Sequence, residues 1–231
     1  MLIDLNCDLG EGAGTDAELL PLITSANVCC GAHAGTSSGI LATLELAAKH
    51  GVVIGAHPGH PDREHFGRRE LPTPSRDVLE EMIRQLKVLR AFANNVGQKL
   101  RYVKPHGGLY HQAAQDDAYA DAVVSACVWH ELPVIGLPDS RLEHRARGHV
   151  PFFAEGFADR AYRSDGSLVP RDQPGAFIDS PQKAAEQVLR LISENGVRTI
   201  CVHGDNPQAI EFVRAVREEL LRAGAELRAF A

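Results

Sequence analysis

Strand-like and helix-like segments alternate along this chain from residue 3 almost to its end. That alternation restricts the chain to a parallel sheet covered on both faces or closed into a barrel. The first strand sharpens the restriction. In Ile3-Asp4-Leu5-Asn6-Cys7-Asp8-Leu9-Gly10-Glu11-Gly12, a period of two puts Ile3, Leu5 and Cys7 on one face and Asp4, Asn6 and Asp8 on the other. In a parallel sheet neither face meets bulk water, and burying such polar groups unpaired costs roughly 2–7 kcal/mol each. The three therefore need partners, a ligand or a wet pocket near the end of this strand.

The remaining strands are expected at Ser25–Cys30, Val52–His57, Leu100–Lys104, Pro133–Gly136, Phe152–Glu155 and Thr199–Val202. Between them the 3.6-residue periodicity and capping signals predict helices. Thr15-Asp16-Ala17-Glu18 reads as a capping box. Ile40, Leu44 and Ala47 mark the buried stripe of one helix; Leu79, Ile83, Leu86, Leu89 and Ala93 mark that of a long one with Pro74 in its first turn. Residues 156–178 form a long loop rich in glycine, proline and charge, a lid or a docked rim loop. Seven βα units without a linker or repeat make 1–231 one expected domain.

Composition excludes several classes. A formal net charge of -6 gives no electrostatic footprint for nucleic acid. No apolar run is long enough to span a membrane, and Met1-Leu2-Ile3-Asp4 lacks the basic and apolar regions of a signal peptide. Five cysteines without a CxxC pair suggest reduced thiols and a cytoplasmic location. The glycine-rich turn after the first strand lacks dinucleotide spacing, and there is no Walker A sequence.

Counting by two, the strand ends deliver Asp8, His33, His57, Lys104 with His106, Glu155 and His203. In parallel α/β folds the site lies at those ends. One histidine there is unremarkable; six strands with ionisable ends form a costly cluster unless it serves chemistry. Asp8, His33 and His57 suit a divalent metal, as two neutral imidazoles and a carboxylate. Lys104 can neutralise developing negative charge. His106, Glu155, Asp159 and Asp205 are candidate acids and bases. Arg68, Arg69, Arg160 and Arg171 lie in rim loops and could bind anions, although solvated loop charge explains at least half of them as well. His60 reads as a surface residue, and Cys7, on the helix-facing side, is a poor nucleophile.

These residues also carry a resemblance. Asp4 to Gly12, Ser25-Ala26-Asn27 with Cys30 to Gly35, Ile54 to Gly59, Phe66-Gly67-Arg68-Arg69, Val103 to Gly107, Phe157 to Arg160 with Leu168 to Arg171, and His203-Gly204-Asp205-Asn206 resemble, in order, the motifs of the LamB/YcsF family, the A subunit of bacterial 5-oxoprolinase. The likeness covers nearly the whole chain. Ala32, Thr36, His60 and His111 depart from the family pattern.

The resemblance implies a (β/α) barrel of about seven parallel strands, similar to glycoside hydrolases and polysaccharide deacetylases. It implies ATP-dependent opening of the 5-oxoproline lactam to glutamate with partner subunits B and C. A divalent cation, magnesium or another, would accompany ATP, and a homo-oligomer is left open. On this reading Asp8, His57, Lys104, His106 and Glu155 carry the chemistry. Asn6, Arg68, Arg69, Asp159, Arg160, Arg171, His203 and Asp205 hold substrate or phosphate. Two other readings stand beside it: a metal-dependent deacetylase or amidohydrolase acting alone, and a non-catalytic component that presents substrate.

Overall fold

The computed structural model describes residues 1–230. Seven parallel strands run β1 (Leu2–Leu9), β2 (Ser25–Cys29), β3 (Val53–His57), β4 (Leu100–Val103), β5 (Val134–Gly136), β6 (Phe152–Phe157) and β7 (Thr199–His203). Each pairs with the next, and β1 pairs with both β2 and β7, so the sheet closes into a barrel. The register sets Asp8 beside Asn27 on β2 and His203 on β7. A short β8 (Glu226–Leu227) adds to the lower end of β1, beside Leu2 and Ile3.

The helices are α1 (Asp16–Leu19), α2 (Ser37–His50), α3 (Ser75–Asn95), α4 (Gly107–Gln115), α5 (Asp117–His130), α6 (Arg141–Ala146), α7 (Pro181–Asn195) and α8 (Ala209–Arg222). Their apolar stripes cover the outward-facing side of the strands. Ile3, Leu5, Cys7 and Leu9 join one core with Ile40 and Leu44 of α2, Met82 and Leu86 of α3 and Val213 and Val216 of α8. Fully burying each large aliphatic side chain contributes about 1.5–3 kcal/mol. Thr36 caps α2 by accepting from the Gly39 N–H, and Ser180 caps α7 by accepting from Lys183.

The barrel interior is polar. Asp4 accepts hydrogen bonds from Thr24 and Ser25 at 2.6 Å and from Thr199 at 2.5 Å. One layer up, Asn6 donates to Thr199 and accepts from Asn27, which Tyr102 also reaches at 2.8 Å. Phe230 lies against Tyr102 and Phe153 at the lower end. Gly55 is required opposite Tyr102: a Cβ there would stand 2.0 Å from its ring.

Two local expectations change, the Thr15 cap and the end of β6, while one helix is added and one open choice is decided. Thr15 does not cap α1; its hydroxyl donates to the Gly204 carbonyl, tying the first turn to the end of β7. Helix α4, not expected before Asp116, begins at Gly107 itself, and the absence of a side chain at Gly108 lets it pass against the Arg69 carbonyl. Strand β6 runs on to Phe157, which draws Glu155 down into the barrel. The loop over 158–178 is docked: Arg160 bridges to Phe177 and Tyr162 to Leu168, and Gln187 of α7 holds the Phe157 and Arg160 carbonyls.

Candidate functional site

The C-terminal strand ends surround a buried cavity of about 30 Å³. Asp8, His57, Lys104, His106, Tyr110, His111 and Phe157 form its wall, with Arg68, Arg160, Arg171 and His203 among the residues at its mouth. A larger cleft of about 580 Å³ lies between the 161–166 segment and α7. The convergent buried charges line the smaller space.

Lys104 is the centre of the charge arrangement. Its ammonium lies 3.0 Å from Asp8 Oδ1, 2.8 Å from Glu155 Oε1 and 3.0 Å from Cys201 Sγ, which uses its three N–H groups. Burial would lower the Lys104 pKa; Asp8 and Glu155 outweigh it and hold the ammonium well above its usual value. Burial likewise pushes the Asp8 carboxyl up, but His57 and Lys104 together hold it well below the usual carboxylate range. Asn27 adds a hydrogen bond to Asp8 at 2.7 Å. Glu155, expected at the rim, is fully buried and bonded to Asn6 at 3.2 Å, so it works through Lys104 rather than on a bound molecule.

Three imidazoles stand beside Asp8. His57 gives one nitrogen to the Lys104 carbonyl (2.8 Å), and its Nε2 lies 2.9 Å from His106 Nδ1 and 3.4 Å from Asp8. His106 Nε2 faces the Phe66 carbonyl at 2.7 Å. His33 stacks flat on His106 with ring centroids 3.8 Å apart. Its carboxylate partner is Glu11 at 3.0 Å and not Asp8, so the expected set of Asp8, His33 and His57 does not gather as one cluster. Glu11, His33 and His106 do offer atoms within 4.8 Å of one another. The backbone is arranged for this packing. Phe66 takes the left-handed conformation (φ 55°), and Gly67 follows at φ 65° with room for no side chain, since a Cβ would stand 2.6 Å from His33. Gln85 of α3 pins Gly59 through both its N–H and carbonyl, fixing the turn after His57.

On the other wall, His203 Nδ1 lies 2.9 Å from Asp159 Oδ1 and 3.0 Å from Oδ2, and the ring stacks on Phe157. A carboxylate can only accept, so Nδ1 carries a proton, and in the neutral tautomer Nε2 is the free acceptor. Burial pushes the Asp159 carboxyl up, but the His203 partnership holds it below its usual value.

The arginines divide. Arg69 forks onto Asp62 at 2.8 and 3.0 Å in the preceding loop, away from the cavity. Arg160 is buried and donates to the Ala176 and Val169 carbonyls, so it braces the docked loop. Arg68 pairs with Asp205 and leaves its Nε without a protein partner. Burial and the neighbouring Arg68 lower the Arg171 pKa, and burial with Arg160 and Arg171 pushes His111 down to about 4. This mouth favours an anion. His60, expected at the surface, is buried and meets Gln112 Oε1 at 2.5 Å, bracing α4.

Glu11, Tyr110 and His111 belong to the site but escape a count of strand ends. Glu11 sits between two glycines past the end of β1, and the other two lie on α4. The only signal for Glu11 is its place in the opening motif.

A closed seven-stranded parallel barrel with polar groups gathered at the C-terminal strand ends defines an α/β barrel protein with its candidate site at that rim. The chain belongs to the LamB/YcsF family, whose model matches residues 3–231. It is 42% identical to a protein of Thermus thermophilus named as the A subunit of 5-oxoprolinase, over 100% of both chains. The crystal structure of a lactam utilization protein from Thermus thermophilus superposes with a TM-score of 0.91 at 41% identity, again over 100% of both chains. A polysaccharide deacetylase from Bacillus cereus shares the fold at a TM-score of 0.60 and 14% identity, over 100% of this chain and 92% of that one.

Proposed function

We propose that this chain opens the 5-oxo-L-proline lactam to L-glutamate in an ATP-dependent 5-oxoprolinase, working with two partner subunits, B and C. The observation that carries this reading is the full-length likeness to relatives named as the A subunit of 5-oxoprolinase. The lining chemistry supports this reading: a cationic mouth and a wall of carboxylate and imidazole suit a small anion with a planar amide, bound at the mouth of the cavity.

In this reading Arg171, with Arg68 beside it, takes the substrate carboxylate, as guanidinium groups do in two-point contacts. ATP, as its magnesium complex, phosphorylates the lactam oxygen and releases ADP, which turns a poor electrophile into a good one. Water then adds to the activated carbon while His203 Nε2 takes its proton, with Asp159 holding the ring and stabilising the imidazolium. The C–N bond breaks and the nitrogen receives that proton. The resulting γ-glutamyl phosphate is hydrolysed by a second water to glutamate and phosphate. His57 and His106 turn their remaining nitrogens toward each other, whereas His203 lines the mouth beside Arg171, so His203 fits proton transfer to the leaving nitrogen better than they do. Asp8 and Lys104 set the field of the wall.

The test is glutamate release from 5-oxoproline by the purified chain, with and without ATP, and with and without candidate B and C partners. Release that needs ATP and both partners is expected. The cluster of Glu11 with His33, His57 and His106 favours a second reading, a metal-dependent amidohydrolase acting alone. Turnover by the single chain without ATP would replace the first reading with that one.

A further inference from the structure

The hydrogen bonds of His57 and His106 pose a problem that neutral side chains cannot solve. His57 Nδ1 faces the Lys104 carbonyl at 2.8 Å, and His106 Nε2 faces the Phe66 carbonyl at 2.7 Å. A carbonyl only accepts, so both of those nitrogens carry hydrogens. The two remaining nitrogens, His57 Nε2 and His106 Nδ1, then meet at 2.9 Å as two bare lone pairs. Two carboxylates close on the same point. Asp8 Oδ2 lies 3.4 Å from His57 Nε2, and Glu11 Oε1 lies 3.4 Å from His106 Nδ1 and 3.8 Å from His57 Nε2. A positive charge is needed between them.

We infer that His57 Nε2, His106 Nδ1, Glu11 and Asp8 form the binding site of one divalent transition-metal cation, with His33 positioning Glu11 from outside the site. Three observations favour a divalent ion over a shared proton. First, the cluster holds the carboxylates of Asp8, Glu11 and Glu155 against the single ammonium of Lys104. Lys104 is shared by Asp8 and Glu155, so Asp8 Oδ2 and Glu11 both still face the two nitrogens, and a divalent ion meets both carboxylates where a proton meets one. Second, two nitrogen ligands at about 2.0–2.1 Å from one metal, set at a right angle, stand about 2.9 Å apart, which matches the pair. Third, each imidazole gives its far N–H to a backbone carbonyl, the arrangement that fixes tautomer and ring plane in metal-ligating histidines.

Stacking excludes His33 from the same ion. Its ring lies parallel to that of His106, within 3°, at a centroid distance of 3.8 Å. A metal bound in the plane of one ring lies well out of the plane of the other. His33 instead donates Nε2–H to Glu11 at 3.0 Å. Mixed imidazole and carboxylate ligands suit zinc, manganese, cobalt or iron in the divalent state, and the adjoining cavity leaves positions for water or a substrate oxygen. The site rests on the same cluster as the metal-dependent reading above but needs no step of the ATP-dependent reaction, so absent metal binding would leave that reaction standing and absent ATP dependence would leave the metal site standing.

The test uses the full chain stripped with a chelator and titrated with Co²⁺, reading visible d–d absorption, with Zn²⁺ competition to follow. One tight equivalent is expected, without sulfur charge-transfer bands because no thiolate contributes. His57→Asn and His106→Asn should each weaken binding by about 100-fold or more, Glu11→Gln by at least about 10-fold, and His33→Asn by about 10-fold. If a variant fails to fold, ¹⁵N-histidine NMR of the wild-type chain with Zn²⁺ decides. Shifts at His57 Nε2 and His106 Nδ1, with His33 still protonated at Nε2, support the site. No uptake of either metal by the folded chain, or uptake that survives both histidine substitutions, overturns it.

Discussion

The two ends of this barrel are equally buried and differently satisfied. At the floor, both Asp4 oxygens accept hydroxyl hydrogen bonds, and Ser25, Thr199, Asn6, Asn27 and Tyr102 pass the network upward. Toward the rim, His33 Nδ1 and Arg68 Nε are buried without a protein partner. Leaving such a group unpaired costs about 1–3 kcal/mol. A chain that satisfies one end and not the other concentrates that cost where a ligand can offset it. Polarity inside a barrel therefore marks a site only when it is incompletely paired.

Substitutions at the two ends should separate activity from stability. The largest effect belongs to His203→Gln at the rim: turnover of the assembled enzyme should fall about 10²–10⁴-fold, with the melting temperature nearly unchanged. A large loss of stability instead would make the His203–Asp159 pair a structural tie. Lys104→Met joins the two ends and should affect both. It leaves Asp8 and Glu155 uncompensated, and denaturant titration should show a loss of about 3–5 kcal/mol together with lost turnover. Retained stability would show that the carboxylates had taken up protons.

Gly55→Ala acts on the floor alone. Its Cβ would meet the Tyr102 ring, and the overpacking should cost about 1–3 kcal/mol or more. Thr199→Val removes a donor to Asp4 and an acceptor for Asn6; about 1–3 kcal/mol of stability should be lost, with turnover preserved once the protein is folded.

The smallest effect is a pH dependence at Asp4. Burial raises its pKa above 3.8, against the lowering influence of its hydroxyl partners. A raised folded-state value contributes stability that is fully present below the unfolded pKa and fades as pH rises through the folded one. The stability difference between wild type and Asp4→Asn should therefore be largest in acid, below pH 3.8, and shrink toward neutral pH. A difference that grows with pH would mean that the floor favours the ionised carboxylate.

Much of this architecture is legible in the chain. The alternation of periods gives seven parallel strands, and counting by two carries Asp8, His57, Lys104 and His203 to neighbouring positions because strand side chains alternate strictly. Glu155 departs from its expected place because β6 continues past it to Phe157, and strand boundaries are set by pairing with neighbours. Arg69 and Arg160 are indistinguishable from Arg68 and Arg171 by type and loop. Whether a guanidinium braces a backbone or waits at a mouth depends on the carbonyls and carboxylates that the fold brings to it. His60 looks exposed for the same reason: its Gln112 partner is far along the chain.

The sequence by itself determined the alternating strands and helices of a parallel sheet and the polar face of β1, since these follow from local periodicity and the cost of exposing apolar surface, whereas closure into a barrel rests on the pairing of β1 with both β2 and β7. Only the tertiary structure decided which polar groups satisfy one another. Hydrogen-bond partners such as Asp4 with Thr199, Asp8 with Lys104 and His57 with His106 are separated by 195, 96 and 49 positions. Such contacts form over a few ångströms and carry no periodic signal along the chain.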